Sequence, residues 1–241
     1  MAEDPTAHLT GPPEPDVNVG YGWENPRMYL DALSPTYWIN EVVKEITGRD
    51  VIGEAVAPVT GDWRSYARFG SALNQLGEFA LALGLKITEG TSEVDHEWDG
   101  RAADAAHLYF QGLAEATAAQ RPVLHDIRDQ YYAATTAVWD YARGVGGLIG
   151  TICDAAIIAG IAAAAGTATF ETGVGPVVGY GVAAWQTGRI VKAANDIITA
   201  YNVTYAAIDI LKGNIMSRIN APSGDLEGYP LPDQAYDHPA A

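Results

Sequence analysis

The sequence predicts an all-α fold: an elongated antiparallel helical bundle built on one long helical hairpin, joined by a second, Gly/Ala-rich hairpin. Three observations predict it. Apolar residues recur in steps of three and four along Trp63, Tyr66, Phe69, Leu73, Leu76, Ala80, Leu83, Ile87, Val94 and Trp98. A second such seam runs through Ala106, Phe110, Leu113, Thr117, Leu124, Ile127, Tyr131, Ala134, Val138, Tyr141, Val145, Leu148 and Ile152. No strand-like alternation persists beyond a few residues. The 3,4 rhythm places these residues on one stripe of each helix, the pattern of helices packed nearly antiparallel.

The elements follow in order. Residues 1–33 carry Pro5, Pro12, Pro13, Pro15 and Pro26 with little apolar periodicity and read as a flexible arm. Residues 34–58 hold a short helix and a connector. Ser34-Pro35 resembles an N-cap followed by a first-turn proline. Tyr37, Trp38, Val42, Val43 and Ile46 form its apolar stripe, and Gly48 ends it. Residues 59–145 form the main hairpin, with Asp62 as N-cap of a first helix over 62–97 and a second helix over 101–143. Pro122 removes a ladder hydrogen bond in that second helix and predicts a bend, because the seam resumes in phase at Leu124. Residues 146–219 comprise the Gly/Ala-rich hairpin, broken at Gly173-Val174-Gly175-Pro176, and a last helix over about 188–219. Residues 220–241 carry four prolines and read as a flexible acidic tail.

The turn of the main hairpin is Trp98-Asp99-Gly100. Trp98 alone among the six tryptophans is followed two residues later by Gly, and it stands at the single break between the two seams. Gly supplies the backbone freedom a tight turn needs, and the indole is expected to plug the open end of the helix pair. On these residues the stretch from about 59 to 145 resembles the WxG family of type VII secretion substrates, whose hallmark is a helix–Trp-x-Gly–helix hairpin. The chain is longer than simple members of that family, which are single hairpins. The resemblance implies a non-enzymatic protein that acts by protein–protein contact, with Trp98 and Gly100 recognised by export machinery. It also implies a Tyr-x-x-x-acid export signal. Three such spacings occur, at Tyr37–Glu41, Tyr205–Asp209 and Tyr229–Asp233. Position favours the last two. Tyr205 and Asp209 would share one helical face, whereas Pro230 and Pro232 interrupt a helical form of the other. The implied partners are the export machinery and either a second small helical protein or another copy of the chain. The implied location is the cell exterior or surface, reached from the cytoplasm without a signal peptide.

Composition is consistent with that reading. Net charge is −16, which repels nucleic-acid phosphate and anionic membrane surfaces. The N-terminal stretch lacks the basic-then-apolar pattern of a Sec-type signal. The single cysteine, Cys153, lies among apolar residues and is expected to be a buried, slowly reacting thiol. The five His form no i, i+4 pair, and no HExxH or CxxC occurs, so no metal, cofactor or catalytic set is expected. The acids Asp95, Glu97 and Asp99 with His96 read as a solvated turn. Gly179-Tyr180-Gly181-Val182-Ala183-Ala184 matches a loose dinucleotide fingerprint but has no preceding strand, and close helix packing explains it better.

The stretch 145–184 leaves two functions open. Its only charges are Asp154 and Glu171, and its uncharged arms are 16 and 17 residues long, against roughly 20 for a membrane span. A hairpin buried in a soluble bundle is the expectation, with Tyr180 and Trp185 covering Ile149, Ile152, Ile157, Ile158 and Ile161. Asp154 is then expected to reach the hairpin edge or to pair with Arg143 or Lys192. The alternatives are a membrane-inserting or membrane-anchored hairpin, and an adaptor domain related to polymorphic toxins that carries no catalytic domain.

Overall fold

Steps of three and four do produce helices, although β-branched and aromatic residues are plentiful, and the protein is all-α. The computed structural model describes residues 3–12, 37–168 and 174–220. Among these residues six α-helices follow in order: α1 (Tyr37–Thr47), α2 (Val51–Val56), α3 (Trp63–Asp95), α4 (Arg101–Ala118), α5 (Gln120–Ala168) and α6 (Val174–Asn220), with short 3-10 turns at Pro5–His8 and Ala57–Val59. The Ser34-Pro35 cap and the tail with Tyr229 and Asp233 lie outside the described residues.

Local signals set several boundaries. Gly48 ends α1 at a φ of 71°, a conformation that costs other residues strain. Asp50 caps α2 by accepting from the Gly53 amide at 3.0 Å. Asp62 caps α3 as expected, accepting from the Ser65 amide at 3.1 Å and from its hydroxyl at 2.6 Å.

Three expectations about helix ends are corrected. The second helix is interrupted at Ala119 rather than bent at Pro122. A proline ring collides with the carbonyl four residues before it, here Ala118, so the break falls ahead of the proline. The expected segment boundary at 145/146 lies inside α5, which continues without a break to Ala168. The expected second arm and last helix are likewise one helix, α6. The change to Gly and Ala at residue 145 alters side-chain volume, and Ala is the strongest helix former.

The chain divides into two compact units, which share α3, α5 and α6. One unit comprises residues 1–15, 67–131 and 213–241. Here α3 packs on α4 and on the start of α5 through small residues. Ala67, Gly70, Ser71, Gly77, Ala80, Ala82 and Gly84 are the buried positions of α3, and Ala103, Ala114 and Ala116 those of α4. A Cβ on Gly84 would come within 2.7 Å of the Ala114 carbonyl oxygen, so the helices approach closely there. The large residues of the first seam, Tyr66, Phe69, Leu76 and Val94, are left exposed. The N-terminal arm departs from expectation over residues 3–12. Asp4 caps the Pro5–His8 turn, and Thr10 accepts a 2.8 Å hydrogen bond from Gln75 of α3.

The other unit comprises residues 16–66 and 132–212. Its core joins Ile39 and Val43 of α1, Val51, Ile52 and Ala55 of α2, and Val59. Val138, Tyr141, Val145, Ile149 and Ile152 of α5 and Ile190, Ala194 and Ile197 of α6 complete it. The second predicted seam is accurate here. The connector before residue 59, expected without helix, supplies three core residues from α2, and Val59 of the 3-10 turn adds a fourth. Tyr141 donates to the Ala55 carbonyl at 3.0 Å, and burial pushes its hydroxyl up to about 12.

Candidate interaction site at the Trp-x-Gly turn

The turn between α3 and α4 is built by backbone geometry. The Val94 carbonyl accepts from both the Glu97 and Trp98 amides at 3.0 Å, closing the end of α3. Gly100 then takes φ 106°, ψ 176° and serves as the N-cap of α4, its carbonyl accepting from Asp104 at 3.0 Å. A Cβ at Gly100 would meet nothing within 4 Å. The requirement for Gly is therefore conformational and not a matter of space.

Trp98 does not plug the hairpin end. It is 46% exposed and stands at the edge of an apolar groove of about 350 Å³. Ile87, Val94, Ala103, Ala106, Phe110 and Leu113 line the groove with it. The groove exists because small residues carry the α3–α4 contact, which leaves the larger side chains flanking an unfilled channel. His107 Nδ1 lies 3.4 Å from Asp95 Oδ1 at its rim. The arrangement offers apolar area with a polar edge, the composition of a protein-contact surface.

Farther along the same unit, Arg121 donates to Glu78 Oε1 through Nε and Nη2 at 3.0 and 2.8 Å, and His125 Nε2 is 3.3 Å from that oxygen. The guanidinium holds the Glu78 carboxyl below its usual range. Burial, then Arg128 and Arg121, hold the His125 imidazole low.

The Tyr-x-x-x-acid pair Tyr205 and Asp209 sits on α6 in the other unit, with both residues exposed. Tyr205 stacks on Tyr201 at 5.9 Å between ring centroids. Tyr201 in turn borders a pocket of about 250 Å³ with Arg49, Glu54, Ile197 and Asn202. Gly179 to Ala184 lies inside the helix α6, and no strand precedes it among the described residues.

The Gly/Ala-rich arms are not shielded. Ile157, Ile158 and Ile161 of α5 and Val177, Val178, Tyr180, Val182 and Trp185 of α6 are all exposed, so Tyr180 and Trp185 do not cover the isoleucines. Among the described residues each arm has only the other to pack on, and the small residues between them cannot bury the outward faces. Cys153 is half-buried at the base of this region, and Asp154 reaches solvent at the edge, as one of the two expected arrangements requires.

Compared with known proteins, the chain matches no family model, no curated protein and no solved structure.

Proposed function

We propose that the chain is a non-enzymatic substrate of a type VII-like secretion route that works by protein–protein contact at its Trp-x-Gly end. The half-exposed Trp98 beside an unfilled apolar groove is the observation that carries this reading. A structural tryptophan would be spent on the core, whereas this one presents more than two-fifths of its surface next to a concave apolar surface that can receive a partner's side chains. Gly100 supports that presentation by permitting the φ of 106° that turns the chain. Tyr205 and Asp209, exposed four residues apart on α6, are the better-placed second signal within the described residues. Tyr229 and Asp233 remain the tail alternative.

Trp98→Ala tests it in a host that carries a type VII system. The variant is expected to melt within a few degrees of the parent, because a surface substitution shifts stability little. It is also expected to disappear from the culture medium while accumulating in cells. Undiminished export of the variant removes Trp98 from the mechanism. The same assay on Tyr205→Ala and Tyr229→Ala assigns the second signal to α6 or to the tail.

A further inference from the structure

The arms at 157–165 of α5 and 177–185 of α6 expose apolar residues on faces that a soluble helix ordinarily covers or makes polar. On α5 the exposed positions are Ile157, Ile158, Gly160, Ile161, Ala164 and Ala165, and Ile161 is 65% exposed. On α6, Val177 is 75% exposed and Trp185 64%. Thr167 and Tyr180 hydroxyls lie 3.1 Å apart, and Ile152 and Ala194 share the core below. The two arms therefore run side by side and antiparallel, each turning its other face outward. The pair is apolar on both outer sides.

We propose that this helical hairpin inserts into a lipid bilayer. A protein partner of ordinary size covers one face of a helix pair and leaves the opposite apolar face in water, whereas hydrocarbon covers both. A helix apolar all round belongs in a large core or in a membrane, and an 18-residue window ending by Ala165, which takes in Asp154 and the enclosed Ile152 as well as the arm, is apolar enough to cross one with only 22% of it buried. The charges mark the limits of the inserted part. Between Asp154 and Arg189 the sequence has Glu171 alone. Arg189 stacks over the Trp185 ring at 5.4 Å, at the base of the arm, which pairs an interfacial aromatic with a cation that can reach headgroups. From Asp154 to the end of α5 is about 21 Å at about 1.5 Å per residue, shorter than a hydrocarbon core of about 30 Å. The arms therefore enter deeply but thin the bilayer if they are to cross it. With a net charge of −16 the attraction is apolar, so the lipid surface is a zwitterionic one.

The test is flotation of the full chain with phosphatidylcholine vesicles, compared with the double variant Ile161→Asp/Val178→Asp. Both positions are exposed, so the variant should keep the parent's helical circular dichroism and melting temperature. The parent is expected to float with the vesicles. The variant should lose at least tenfold of that binding, and replacing phosphatidylcholine with phosphatidylglycerol at low salt should weaken the parent's binding. A parent that stays at the bottom of the gradient overturns the proposal, as does a folded variant that floats equally well. Light scattering that finds a dimer of the parent, dissolved by the two aspartates and indifferent to vesicles, also overturns it and assigns the surface to a second copy. None of these outcomes depends on Trp98, so export and insertion fail or succeed separately.

Discussion

The two halves of the 132–168 stretch of α5 use the same residues to opposite ends. Val138, Val145, Ile149 and Ile152 are almost wholly enclosed, whereas Ile157, Ile158 and Ile161, one or two turns on, face solvent. The helix runs unbroken across the divide, and isoleucine recurs on both sides of it. What changes is the number of neighbours: among the described residues α1, α2 and α6 surround the first half, and α6 alone accompanies the second. Hydrophobicity thus states a demand for burial, and the count of available partners decides whether the chain itself meets it.

Truncation should separate the halves most strongly. Ile152→Ala empties a site with 0% exposure and should cost about 2–5 kcal/mol in denaturant unfolding. Ile161→Ala should cost no more than about 0.5 kcal/mol in the same experiment, since little is buried there in water. Equal losses at the two positions would mean that the outer half is packed in solution, and the contrast would collapse.

That contrast also explains what could be read from the sequence. The caps at Asp62 and Gly48, the turn at Gly100 and the seam from Ile127 to Ile152 are local chemistry or strict periodicity, and all were legible. The first seam misled, because large residues at Phe69 and Leu76 share their rhythm with the small ones at Gly70, Gly77 and Gly84 beside them. Close approach of two helices selects the small row, and a count of hydrophobic residues selects the large one. Helix α2 was missed because six residues between Gly48 and Pro58 carry too little periodicity to register. The continuity of α5 and α6 was missed because a shift toward Ala and Gly is not a stop signal. At the candidate site the position of Trp98 was legible, but its exposure was not, since exposure follows from the small-residue contact.

A smaller effect probes the enclosed half by polarity. Tyr141→Phe removes a donor from the Ala55 carbonyl without changing much volume, and should cost about 1–3 kcal/mol because a buried acceptor loses its partner. A neutral result would show that water reaches that carbonyl.

Acid should affect the 67–131 unit, where polar contacts flank a thin small-residue interface. His125 is held below its ordinary value of 6.5, so its neutral form is the folded one. Stability from that group is present above pH 6.5 and lost as pH falls toward its depressed folded value. Glu78 is held below 4.5, and its contribution is present above that value and lost as pH falls through the lower folded one. Both losses have the same sign. The melting temperature should fall in two stages on acidification, the first absent in His125→Gln. An identical profile for that variant would assign the first stage elsewhere.

The smallest expected effect lies at the junction of the two halves, where Cys153 reports on both. It is half-buried, and its thiol is pushed above its usual value, chiefly by burial and then by the neighbouring Asp154 charge. A raised value means less thiolate at pH 8, hence slower alkylation. Asp154→Asn removes only the lesser cause and should speed labelling slightly. Denaturation removes both causes and opens access, so its acceleration should be much the larger. The order of the two follows from the order of the causes. If Asp154→Asn alone brought labelling to the denatured rate, the charge would be the dominant cause, and the enclosed half of α5 would end before residue 153.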